Sequence, residues 1–288
     1  MSVKLMYNCD VGSDNMPELP EVETVRKALL LKLKGRQIKK LTVLHNNVFQ
    51  DQDVELIEKL IKDQTIKDIL RRGKWLEFVL DDYYLLSHLR MEGKYVYRNV
   101  GDPIEKHQLV LFDLDNNISL RYRDVRKFGK MYLLRKEDLN NSPISKLGLE
   151  PWDDNLNISY LKEKYKTKSL PIKTVLLDQS IITGIGNIYA DEILFLSKIN
   201  PYKRSKDLNS KELNSIITNT KKVLEKAIED GGTTIRSYTS EEGVEGKNQN
   251  NLYVHQREGE KCLICNTVIL KDKIGGRGSY YCPNCQRN

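Results

Sequence analysis

Two sets of residues in this 288-residue chain have types and spacings that could do chemistry. The first is Met16-Pro17-Glu18-Leu19-Pro20-Glu21-Val22-Glu23-Thr24. A proline at a free amino terminus is a secondary amine that can attack an electrophilic carbon and become a cationic imine, whereas the same nitrogen inside a chain is a nearly inert amide. If synthesis starts at Met16, Pro17 is placed to be such a nucleophile, and the Glu18 carboxyl lies one residue away, close enough to move a proton. The same residues also fit a plain helix start, because proline suits the first turn and acids suit the N-terminal dipole.

The second set is Cys262-x2-Cys265 and Cys282-x2-Cys285, with sixteen residues between the pairs. Two thiolate knuckles at this spacing suit one tetrahedral Zn2+, with iron or a redox role as the alternative. Four sulfur ligands leave no open position, so the metal is expected to be structural, adding on the order of 10 kcal/mol to the folding of a hairpin too small for its own core. Between the pairs, Gly275-Gly276-Arg277-Gly278 reads as the hairpin tip, with Arg277 able to hold a phosphate or to be an ordinary surface arginine.

Elements that must position these residues follow from periodicity. Leu19, Val22, Val25, Ala28, Leu29 and Leu33 recur at helical spacing up to Gly35. Period-two patterning then runs through 38–44, 75–80, 84–91, 94–97, 109–114, 118–122 and 130–134, interrupted by a helix at 54–61. Asp81-Asp82, Glu92-Gly93 and Asp115-Asn116-Asn117 supply turns, and Arg71-Arg72-Gly73-Lys74 reads as a turn ahead of a strand. This pattern predicts an antiparallel β-sandwich or barrel. From Gly148 the character is helical, with helices expected at 158–166, 172–182, 188–197 and 211–228. The second and third are joined through Thr183-Gly184-Ile185-Gly186-Asn187, whose glycines and helix N-terminus could receive a phosphate on free N–H groups. Residues 232–259 read as a long loop or linker. The fold class is therefore α+β, with expected units at 16–148, 149–231, 232–259 and 260–288, preceded by an extension at 1–15.

A net charge of +7 and a pI near 8.9 favour a polyanionic partner. No apolar run approaches the roughly 18 residues that cross a bilayer, and residues 1–15 lack a signal-peptide core. A cytoplasmic protein without a membrane partner is expected. Gathering four of five cysteines into the last 27 residues points to metal and away from a disulfide framework.

The wording at 16–26, Met-Pro-Glu-Leu-Pro-Glu-Val-Glu-Thr-Val-Arg, resembles the start of the bacterial formamidopyrimidine-DNA glycosylases. The text from Leu177-Asp178-Gln179 to Gly184-Ile185-Gly186-Asn187-Ile188-Tyr189-Ala190-Asp191-Glu192 resembles the helix-two-turn-helix of the same family. The resemblance implies an N-terminal β-sandwich with flanking helices, a helix-two-turn-helix unit and a terminal β-hairpin zinc finger. It implies that Pro17 is the nucleophile and Glu18 its acid/base partner, that Lys74 lies by the damaged base and a flanking phosphate, and that Asn187 binds phosphate beside the lesion. It assigns the gap left by an extruded nucleotide to Met91, Arg126 and Phe128, with Arg126 facing the orphaned cytosine and His88 near phosphate. Residues 232–238, with Ile235, Arg236, Ser237 and Tyr238, match the family's lesion-recognition loop.

The function implied is removal of oxidised purines, 8-oxoguanine and formamidopyrimidines, from duplex DNA, followed by β,δ-elimination at the abasic site through a proline Schiff base. The partner is double-stranded DNA carrying oxidised bases or abasic sites, the protein is expected to act as a monomer by the bacterial nucleoid, and Zn2+ is the sole cofactor. Two alternatives stand beside it. One is the endonuclease VIII type, with the same nucleophile and a preference for oxidised pyrimidines. The other is a non-catalytic zinc protein that binds damaged DNA, which is what the chain becomes if residues 1–15 stay in place and keep Pro17 an amide. Those residues depart from the family pattern and are expected to be an upstream start-site or cloning addition.

Overall fold

A computed structural model of the chain describes residues 16–233 and 248–287. Helix α1 (Leu19–Leu33) leads into β1 (Ile38–Val43), α2 (Val54–Ile61) and seven further strands, β2 (Asp68–Arg72), β3 (Trp75–Val79), β4 (Tyr83–His88), β5 (Lys94–Asn99), β6 (Gln108–Leu114), β7 (Ile118–Arg123) and β8 (Lys130–Arg135). They form two four-stranded antiparallel sheets, ordered β1-β6-β7-β5 and β2-β3-β4-β8. Alternation drives this, since one face of each strand supplies a shared core that includes Leu41, Val110, Phe112 and Leu120 from one sheet and Ile69, Phe78, Leu85 and Met131 from the other.

The helical half holds α3 (Ile158–Tyr165), α4 (Ile172–Leu176), α5 (Asn187–Leu196) and α6 (Ser210–Glu229) around a second core. Helix α1 belongs to both. Its first residue, Leu19, lies in the helical core, while Val22, Val25, Leu29 and Leu33 lie in the sandwich core. The start of α1, and with it Pro17, is thereby fixed at the seam between the halves. Leu19 N–H donates to the Gly184 carbonyl (3.1 Å), and a methyl at Gly184, whose φ is +95°, would overlap the Leu19 side chain.

Strands β9 (Leu270–Ile274) and β10 (Arg277–Tyr281) make a terminal hairpin. A small third core of Val254, Cys262, Ile269, Tyr280 and Cys282 seats it on Phe195 of α5. No helix among the described residues is long and apolar enough to cross a membrane.

Several boundaries differ from the sequence reading. Arg71 and Arg72 are the end of strand β2, which was missed because only Ile69 of its five residues is buried, leaving no alternation to read. The hairpin turn is then Gly73-Lys74, with Arg72 paired to Trp75. Helix α4 stops at Leu176 and not at 182, because the Asp178 carboxylate takes the Ser180 N–H (3.0 Å) and turns the chain. Strand β4 ends at His88, where the backbone turns toward Met91. In the last hairpin the tip is Gly275-Gly276 alone, and Arg277 opens β10.

Candidate active site and zinc centre

Glu18 is the N-cap of α1, yet its side chain serves another helix. Its carboxylate accepts N–H groups from Gly186 (2.6 Å), Ile188 (2.8 Å) and Tyr189 (3.4 Å), the free donors at the start of α5. The expectation that a phosphate uses those N–H groups is thus corrected: an internal carboxylate 168 residues back in the chain occupies them. Gly186 permits the approach, since a methyl there would overlap the Glu18 carboxylate. Burial pushes the Glu18 carboxyl up to about 7, with Lys74 and the Ile188 N–H opposing that rise and Glu21 adding to it. A carboxyl poised near neutrality can both take and give a proton.

Lys74, carried by the two-residue turn between β2 and β3, faces the same cavity, of about 170 Å³. It is 5% exposed, and no described residue accepts a hydrogen bond from its Nζ. Burial lowers its pKa, with Glu18 and Glu21 pulling it back up. The turn is held from behind by Glu150, which accepts the Gly73 N–H (2.7 Å) and pairs with Arg71 (3.0 Å) and Arg72 (3.1 Å). Arg71 also reaches Glu23 of α1 (3.1 Å), so the turn is tied to the helix that bears Glu18.

The cavity is lined by Met16, Glu18, Lys74, His88, Asn187 and Arg277, among others. Five of the residues singled out from the sequence therefore converge from five separate elements. Pro17, itself buried, lies in the chain between Met16 and Glu18, both of which line the cavity. His88 stacks edge-on to Trp75 (4.7 Å) and accepts the Arg90 N–H on Nδ1 (3.0 Å). Burial, with Arg90 and Lys74 nearby, depresses its pKa to about 3, so the ring is neutral. Asn187 donates from Nδ2 to the Gly278 carbonyl (2.9 Å), linking α5 to the hairpin that carries Arg277.

Met91, Arg126 and Phe128 form a second group. Arg126 Nη1 donates to the Met91 sulfur (2.8 Å), and its guanidinium lies 4.7 Å from the Phe128 ring centre. Phe128 is 49% exposed, unusual for a large aromatic. Ile235, Arg236, Ser237 and Tyr238 lie outside the described residues.

Sequence reasoning passed over Glu21. Its carboxylate accepts the Glu18 N–H (2.9 Å), the Tyr189 hydroxyl (2.6 Å) and both the N–H (2.8 Å) and the hydroxyl (3.1 Å) of Thr233. Asn248 in turn donates to the Tyr189 hydroxyl (3.4 Å). The described residues on either side of 234–247 are therefore anchored to one carboxylate beside Pro17. The spacing of Glu21 from Glu18, one helical turn, was the available signal.

At the hairpin, the four sulfurs of Cys262, Cys265, Cys282 and Cys285 lie within 4.8 Å of one another. Cys262 and Cys285 are 3.9 Å apart and Cys265 and Cys282 3.4 Å, too far for disulfides and close to the roughly 3.8 Å edge of a tetrahedron with Zn–S bonds of about 2.3 Å. The donor set fits one Zn2+ bound by these four thiolates, which ties β10 to the loop before β9.

A β-sandwich, a helical hairpin and a zinc hairpin sharing one basic, titratable cavity are the parts of a DNA glycosylase. Residues 16–131 match the formamidopyrimidine-DNA glycosylase N-terminal domain, residues 147–239 its H2TH domain, and residues 259–288 the zinc finger found in FPG and IleRS. A formamidopyrimidine-DNA glycosylase of Oceanobacillus iheyensis is 46% identical over 275 residues, covering 95% of this chain and 98% of the relative. Lactococcus lactis FPG, solved as a variant bound to Fapy-dG containing DNA, superposes with a TM-score of 0.89 at 38% identity over 94% of this chain and all of that one. The complex of Lactococcus lactis Fpg with abasic site containing DNA gives 0.88, also at 38% identity, with the same coverage. The chain belongs to the formamidopyrimidine-DNA glycosylase family.

Proposed function

We propose that this chain excises oxidised purines from duplex DNA and then cuts the strand at the resulting abasic site, through an imine on Pro17. The observation that carries the reading is the Glu18 carboxyl, held by three backbone N–H groups beside Pro17, with a pKa near neutrality and with Lys74, which meets no hydrogen-bond acceptor among the described residues, across the cavity. The similar structures, whose DNA contains Fapy-dG or an abasic site, support the substrate class.

In a chain that begins at Pro17, the neutral secondary amine attacks C1′ of the damaged nucleotide and the glycosidic bond breaks, its electron pair leaving with the base. Glu18 takes the proton released from nitrogen and returns it as the sugar ring opens. The iminium that forms acidifies the hydrogen on C2′. Its loss expels the 3′ phosphate, and a second proton loss expels the 5′ phosphate. Lys74 and Arg277 hold negative charge at the mouth of the cavity, and Asn187 holds backbone phosphate. Met91, Arg126 and Phe128 fill the stack behind the extruded nucleotide. Zinc supplies shape to the hairpin and no reactive position.

Borohydride trapping on a duplex with one 8-oxoguanine tests this, using one chain begun at Met1 and one begun at Met16 and processed to Pro17. The shorter chain is expected to give a covalent adduct and the longer one none. No adduct from the shorter chain would overturn the mechanism. Faster turnover of thymine glycol than of 8-oxoguanine would move the chain to the oxidised-pyrimidine reading.

A further inference from the structure

The two loops that bear Met91 and Phe128 are distant in sequence, yet they stand on one support. A methyl added at either Gly93 or Gly129 would overlap the hydroxyl of Tyr122, so both loop ends press on the same atom. Tyr122 is wholly buried in β7, with its ring 5.4 Å from Tyr95. Two residues on, the buried Asp124 turns its carboxylate inward to accept N–H groups of Arg126 (3.0 Å), Phe128 (2.9 Å) and Gly129 (2.8 Å). This crown of donors fixes the 124–129 backbone, in which Lys127 takes a left-handed φ of +58° that offers no stability of its own. The facing loop is set in a similar way: Arg90, at φ +55°, donates its N–H to His88, and the Gly93 N–H closes on the Leu89 carbonyl (3.0 Å). At the tips, Arg126 bridges the Met91 sulfur and the Phe128 ring.

We propose that Tyr122 and Asp124 are positioning residues that join the 88–93 and 124–129 loops into one wedge, which enters the duplex as a unit. The inference rests on the reading that Met91, Arg126 and Phe128 fill the gap left by the extruded nucleotide. It adds that their energies are coupled through the support below them. Two loops that insert independently lose rate independently, whereas a single body that fails to seat loses its full contribution when either tip is removed.

The test is a double-mutant cycle in the chain beginning at Pro17, read as single-turnover excision of 8-oxoguanine opposite cytosine. Met91→Ala and Phe128→Ala are each expected to slow excision, and the double variant to be slower than the worse single by no more than about threefold. In a Tyr122→Phe background the two losses are expected to multiply. Tyr122→Phe and Asp124→Asn are also expected to lower excision of the stacked lesion at least about tenfold more than they lower elimination at a preformed abasic site, where the base is already gone. A merely structural defect would lower both alike. Losses that multiply in the unaltered background overturn the proposal, and because Phe128 is exposed and Met91 only half-buried, that arm stands even if the Tyr122 variant does not fold. If the unaltered chain excises nothing, the glycosylase reading fails and this inference falls with it. Excision with a multiplicative cycle sinks this inference alone.

Discussion

Among the described residues two lysines lie buried, and they are treated in opposite ways. Lys173 of α4 is fully enclosed, with Nζ donating to Asp191 (2.5 Å) and to the Asn187 carbonyl (2.9 Å), while the other Asp191 oxygen meets His255 Nδ1 (2.8 Å). Lys74 is almost as enclosed, but its ammonium faces a cavity, and burial lowers its pKa, with Glu18 and Glu21 opposing the fall and no described carboxylate in hydrogen-bond contact. A buried charge whose partners are all present is architecture, here fixing α4 to α5 behind Asn187. A buried charge left without partners is kept at a cost in stability, and that cost is expected where a substrate completes the site.

The widest separation between the two should come from stability. Lys173→Ala would strand the Asp191 carboxylate in a dry interior, and a loss of about 3–5 kcal/mol in denaturant unfolding is expected. Lys74→Ala removes an ammonium that no described residue hydrogen-bonds, so its unfolding free energy should change by no more than about 1 kcal/mol. Equal losses from both would break the comparison. Activity should show the reverse for Lys74. Lys74→Met is expected to slow single-turnover excision by about 10²–10³-fold, the usual consequence of deleting one preorganised donor to developing or bound negative charge. Its thermal midpoint should stay near that of the unaltered protein.

How far these sites could be read in the chain follows the same division. The four cysteines carry their metal site in local spacing, and the sandwich strands other than β2 carry theirs in alternation, so these were legible. Asp124 and Tyr122 were not, because an Asp beside an exposed loop and a Tyr in a strand look like any others until the fold brings Gly93 and Gly129 against one hydroxyl. Lys173, Asp191 and His255 lie on three separate segments, and the network exists only once these meet. Glu18 shows the limit most clearly. Its place at a helix start fitted a plain dipole reading, yet its carboxylate crosses to α5 and takes the N–H groups of Gly186 and Ile188 expected to hold phosphate. That phosphate expectation failed because helix donors are legible in sequence and their acceptor, 168 residues away, is not.

The subtlest contrast lies in how stability responds to pH. With its carboxyl raised from 4.5 to about 7, Glu18 holds a proton more tightly in the folded chain than in the unfolded one. Its contribution to stability is therefore complete below about 4.5 and is lost as pH climbs through 7, a change on the order of 3 kcal/mol. His88 works against it: its pKa falls from 6.5 to about 3 on burial, so its contribution is present above 6.5 and is lost as pH falls toward 3. Between 4.5 and 6.5 the two slopes oppose and partly cancel in the sum. The difference between the unaltered chain and Glu18→Gln isolates the carboxyl, and that difference is expected to slope downward between pH 4.5 and 7 in denaturant titrations. A freed Pro17 amine, like other α-amino groups with pKa of about 7.7–8.0, is protonated below pH 7 and neutral only in the fraction that attacks; at rest it places a second cation beside Glu18 and should pull the midpoint of the slope below its position in the chain that starts at Met1. A midpoint that does not move between the two chains would mean that the amine and the carboxyl do not sense each other, and a proton could not pass between them as the mechanism needs.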